Sequence, residues 1–164
     1  MENQRITKKK VLKYLLLVVA AVLVYVIFYS PTLKMPISWA GAWVAIEAEP
    51  SYIPFEYSKS YMTTTSCGKR CDKLKLHYLS KKAELVITAT DYVSWYDDPK
   101  WDKKNKIKGT KYFYQEKNGK QYLDWEEEKE ELELTVEYQG ENKLTKSEIV
   151  KIANSIKAEG KLLN

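Results

Sequence analysis

The sequence predicts an α+β fold: a series of antiparallel strands covered by one C-terminal helix, set behind an N-terminal transmembrane helix. Three observations carry this. Residues Tyr14–Tyr29, YLLLVVAAVLVYVIFY, run for sixteen positions without a charge, glycine or proline. Across the whole chain, 13 Tyr and 5 Trp against 6 Gly favour pleated, half-buried surfaces. Near the end, Ile149, Ile152, Ala153 and Ile156 recur at helical spacing and form one apolar stripe to lie on a sheet.

Taken in order, residues 1–10 form a basic tail with Arg5, Lys8, Lys9 and Lys10 against Glu2. Positions 11–29 then give about nineteen residues, close to the roughly 20 that span a bilayer as a helix. Tyr14, Tyr25 and Tyr29 are spaced to anchor its two ends. The positive-inside preference puts the tail in the cytoplasm and residues 30–164 outside, a single-pass protein of the cell membrane. A cleaved secretory signal is the competing reading. Ser30-Pro31-Thr32-Leu33-Lys34 is a poor cleavage context, and no cysteine follows closely for lipid attachment.

Charge excludes one class of partner. The first thirty residues hold five of the 27 bases and one of the 22 acids, so the remainder carries 22 against 21. A nearly neutral domain offers nucleic acid no electrostatic footprint.

Residues 30–49 read as a juxtamembrane linker. Within it, ISWAGAWVAIEA is either an interfacial segment or a first strand over Trp43–Glu47, the strand being favoured by β-branched and aromatic content. The domain is expected over residues 50–160. Pro50 and Pro54 fix an extended passage. Tyr57–Thr65 is a strand with a Thr-rich face, and Ser66–Asp72 a turn. Leu74, Leu76 and Tyr78 alternate with Lys73, Lys75 and His77, and Glu84–Thr90 completes a three-stranded meander. Asp91–Lys106 reads as a long loop. Asn118-Gly119 between GTKYFYQE and KQYLDW is a strong hairpin signal. In Glu131–Tyr138, Leu132, Leu134, Val136 and Tyr138 face inward. Thr145 and Glu148 form a capping box for the last helix, and Gly160 is its expected stop.

Several of these segments share a pattern: Pro50–Phe55, the Tyr112–Trp125 hairpin ending in Trp-Glu-Glu, the ELTVEYQG strand, and Leu144–Ile156. Together they resemble a domain of unknown function that recurs behind one membrane helix in Gram-positive bacterial proteins, some of them regulatory. The resemblance spans roughly Pro50–Lys157. It implies a curved antiparallel sheet with helix cover, as in the periplasmic lipoprotein-carrier and sigma-regulator class, and it brings no catalytic residues. The CGKRC turn and the WYDDPKW loop depart from that pattern.

Few residues carry chemistry. Cys67 and Cys71 bracket a three-residue turn and, outside the membrane, are expected as a structural disulfide. A redox pair, a metal site with His77 and two free thiols are the open alternatives. His77, the one histidine, reads as a solvated imidazole on a lysine-bearing face. Asp91, Asp97, Asp98 and Asp102 lack the spacing of a calcium loop, and Lys100, Lys103, Lys104 and Lys106 oppose one. Glu126–Glu131 is a solvated turn or, less simply, a dock for a basic partner. Trp95, Tyr96 and Trp101 are either core or the anchors of a partner. No phosphate loop, nucleophile elbow or His-based metal motif occurs, so neither cofactor nor metal is expected.

The expected function is therefore a binding or sensing module displayed outside the cell, engaging an envelope or signalling protein. A lipid or peptide carrier is the first alternative. It would need an apolar cavity lined by Leu132, Leu134, Val136, Ile149 and Ile152. A thiol oxidoreductase using Cys67 and Cys71 is the second.

Overall fold

The computed structural model describes residues 2–29, 33–44, 46–68, 71–91 and 101–160. Helix α1 spans Glu2–Tyr29 and α2 spans Ala40–Val44. Strands β1 (Ile46–Glu47), β2 (Lys59–Gly68), β3 (Cys71–Leu79), β4 (Ala83–Thr90), β5 (Phe113–Lys117), β6 (Lys120–Glu127) and β7 (Leu132–Gly140) precede α3 (Lys146–Ser155) and a short β8 (Glu159–Gly160).

Six strands form one antiparallel sheet in the order β2-β3-β4-β7-β6-β5. The meander and the hairpin are thus joined by β7, which returns between them. Alternation decides which side chains go inward. Leu74, Leu76 and Tyr78 of β3, Leu85 and Ile87 of β4, Leu123 and Trp125 of β6, and Leu132, Leu134 and Val136 of β7 are all at most 2 % exposed. On this inner face, Ile149, Ile152 and Ala153 of α3 join the same core, as the stripe predicts. Burying each such aliphatic side chain contributes about 1.5–3 kcal/mol. The core also takes in Met35, Ala40, Ile46 and Ala48, which precede Pro50.

Local chemistry explains the boundaries. Asn118 and Gly119 both take positive φ (54° and 75°), the geometry a two-residue hairpin demands. Thr145 Oγ1 accepts from the Glu148 amide while the Glu148 carboxylate accepts from the Thr145 amide, closing the capping box. Helix α3 stops at Ser155 rather than at Gly160, and Glu159–Gly160 instead pairs with β1. The end of α3 is tied down: the Ser51 amide donates to the Ser155 carbonyl at 3.1 Å, and the Tyr52 amide to Ser155 Oγ at 3.2 Å. The strand expected over Trp43–Glu47 is corrected, because α2 runs through Val44 and leaves two strand residues.

A larger correction concerns the N-terminus. Among the described residues, no helix is long and apolar enough to cross a membrane. That overturns the expected transmembrane helix over 11–29. The cytoplasmic tail and the extracytoplasmic placement of residues 30–164 fall with it. Helix α1 is exposed at every described side chain from Lys10 to Val26 and approaches the domain at β2.

Candidate binding cleft on the open face of the sheet

Helices α2 and α3 pack on the inner face, and no described helix lies across the middle strands on the other side. Pairing register sets what that open face displays. One row runs Tyr61, His77, Val86, Glu137, Tyr122, Gln115. The next runs Thr63, Lys75, Thr88, Thr135, Asp124, Phe113.

At the β2–β3 edge these rows build a cleft of about 350 Å³, lined by Lys34, Tyr61, Thr63, Thr65, Lys75 and His77. The Tyr61 and His77 rings stack at 4.5 Å and 12°. Lys34 Nζ sits 4.6 Å and Lys59 Nζ 5.7 Å from the Tyr61 ring centre, within cation–π range. Thr63 Oγ1 meets His77 Nε2 at 3.4 Å. On the other ring nitrogen, Nδ1 is buried without a hydrogen bond, and Glu84 Oε1 stands 3.7 Å away. That separation is ionic reach but not hydrogen-bond length. Burial therefore outweighs Glu84 and holds the imidazole below its usual 6.5, with Lys75 and Lys34 pushing the same way. His77 is thus a stacked, mostly buried ring, 16 % exposed at its side chain, and not the solvated imidazole expected.

A second feature lies across the sheet. Asp124 is 6 % exposed and accepts from Thr135 Oγ1 at 2.8 Å and Gln115 Nε2 at 3.3 Å. With Trp101, Asp102, Asn105, Phe113 and Gln115 it borders a cavity of about 140 Å³. Trp101 is half-buried and packs on Phe113 at 5.1 Å, so this expected anchor rests on the sheet. Trp95 and Tyr96 lie outside the described residues, as do Asp97, Asp98 and Lys100.

The remaining candidates do structural work. Asp91 Oδ1 accepts the Asp72 amide at 2.6 Å, and burial pushes its carboxyl above the usual range. Asp102 caps a short 3-10 turn by accepting the Lys104 amide at 3.0 Å. Glu126 and Glu127 end β6, and Lys111 pairs with Glu127 at 2.5 Å. Cys71 is disulfide-bonded and 9 % exposed, and no described cysteine is free. The Cys67 side chain lies outside the described residues, so no Cys67–Cys71 bridge is described. Cys71 and His77 stand six residues apart on β3, roughly 20 Å, too far to share an ion. Among the described residues, no group of three His, Cys, Asp or Glu is placed to hold a metal.

Alternation along β3 was enough to put Lys73, Lys75 and His77 on one face. Their partners Tyr61 and Thr63 depend on hairpin register, and Lys34 on a chain path that no local pattern encodes. Compared with known protein families, curated proteins and solved structures, the chain has no match.

Proposed function

We propose that this chain is a non-enzymatic binding module that engages a protein partner through the open face of its sheet. The observation that carries it is the asymmetry of the two faces. One is closed by α2, α3 and the passage around Pro50. The other presents two tyrosines, Tyr61 and Tyr122, among threonines and charges of both signs. Tyrosine set among polar groups is typical of protein interfaces.

The alternatives fare less well on geometry. A carrier needs an apolar cavity at Leu132, Leu134, Val136, Ile149 and Ile152. All five are 0 % exposed and packed in one cluster. A thiol oxidoreductase needs an accessible sulfur, and Cys71 is buried.

Site-specific photo-crosslinking tests the reading. A photoreactive residue at Tyr122 of the full chain in its native cells should give a discrete protein adduct, identified by mass. The same probe at Ser147 on α3 should not. No adduct at Tyr122, or the same adducts from both positions, would overturn the proposal.

A further inference from the structure

Resting on that reading, we infer that the cleft beside His77 seats a carboxylate from an acidic segment of the protein partner. Four described ion pairs, Lys82–Glu141, Lys111–Glu127, Lys120–Glu137 and Lys143–Glu116, employ other lysines. Lys34 and Lys75 border the cleft with no carboxylate partner among the described residues. The charged and titratable groups facing the His77 ring are Lys34 from the chain before α2, Tyr61 from β2, Lys75 from β3, and Glu84 from β4. Two ammonium groups thus stand against one carboxylate, and Glu84 lies at Nδ1, away from the Nε2 side that meets Thr63.

The donors select among anions. Lysines are point charges and threonine hydroxyls are single donors, a set that suits a carboxylate. Phosphate recognition typically adds an arginine fork or a helix N-terminus, and none of the residues lining this cleft supplies either. The cleft continues into the open sheet face, so an acidic side chain can enter it while its neighbours lie along the strands. A carboxylate at Nε2 also favours the imidazolium, which couples seating to proton uptake at His77.

The test follows the His77 ring resonances by NMR in the full chain as pH is lowered. The probes are a capped Glu-Ala hexapeptide, its Gln-Ala counterpart and inorganic phosphate. The Glu peptide should shift the ring signals and raise the His77 midpoint. The Gln peptide should do neither. Lys34→Ala with Lys75→Ala should weaken Glu-peptide binding about tenfold, while Lys34→Arg with Lys75→Arg retains it. An unchanged unfolding transition confirms that the alanine pair is folded, and the arginine pair carries the test if it is not. Equal binding of the Gln peptide, or full affinity in the alanine pair, overturns the inference. An equal response to phosphate overturns its assignment to a peptide. A Tyr122 adduct that persists in the alanine pair removes this inference and leaves the protein-binding reading standing.

Discussion

Gln121 grips Leu144 as a neighbouring strand would. Its Oε1 accepts the Leu144 amide at 2.9 Å, and its Nε2 donates to the Leu144 carbonyl at 2.8 Å. The second Nε2 proton goes to the Tyr114 hydroxyl at 2.7 Å. At 2 % exposure the carboxamide has exchanged water for these three partners, and it pins the chain one residue before the α3 cap. Replacing Gln121 by Leu strands both Leu144 groups and should cost about 2–3 kcal/mol. Tyr114→Phe, which removes one partner only, should cost about 1 kcal/mol or less. Urea unfolding of the full chain measures both, and equal losses would show that the grip on Leu144 contributes nothing special.

Downstream of that grip, Glu148 links helix formation to pH. Hydrogen bonds from the Thr145 amide, then its hydroxyl, hold the Glu148 carboxyl below its usual 4.5. A carboxyl lowered in the fold adds stability that is complete above the unfolded value and fades as pH falls through the folded one. Wild type should therefore lose stability below about pH 4.5 faster than Glu148→Gln, as read by unfolding midpoints. Thr145→Ala should cost about 1 kcal/mol near neutral pH. Parallel pH profiles for wild type and Glu148→Gln would remove the carboxylate from the cap.

His77 has the same sign for a different reason. Burial lowers its folded pKa below 6.5, so the unfolded chain binds the extra proton first. Stability should be full above pH 6.5 and decline as pH drops toward the folded midpoint. His77→Gln should flatten that slope. An NMR midpoint at or above 6.5 in the free protein would contradict the burial argument.

These three sites differ in how far local patterns announced them. The Thr145–Glu148 box and the Asn118-Gly119 hairpin are short-range chemistry, so their residues state them directly. The inward alternation of Leu132 to Tyr138 is equally plain, because period two leaves one choice of face. Gln121 alternates as an inner-face residue, yet its partner lies 23 positions away, and nothing near it signals a buried carboxamide. The His77 cleft needs three separate facts: the β2–β3 register, the β3–β4 register that brings Glu84 near, and the passage of Lys34 beside Tyr61. Hydropathy alone also overran at the N-terminus, where residues 11–29 suggested a crossing and no described helix is long and apolar enough to make one. Gly160 misled for a related reason: its pairing to Ile46 is a long-range contact that a stop signal cannot express.

Glu131 offers a final test of local strain. It follows a 3-10 turn over Glu128–Glu130 and takes φ 51° and ψ 37°, the left-handed region, before β7 begins. Its side chain is exposed, so no packing accounts for the choice of residue. Holding a non-glycine residue there costs about 1–2 kcal/mol. Glycine removes that cost but adds roughly 0.5–1 kcal/mol of unfolded-chain freedom. Glu131→Gly should therefore raise stability by about 0.5–1 kcal/mol. Gly119→Ala, at φ 75° in the hairpin turn, should lower it by about 1 kcal/mol. The two substitutions exchange the same pair of physical terms in opposite directions. Thermal unfolding of both variants should move the midpoint up for one and down for the other. A lowered midpoint in Glu131→Gly would mean that the Glu131 side chain holds the turn by a contact worth more than its backbone strain.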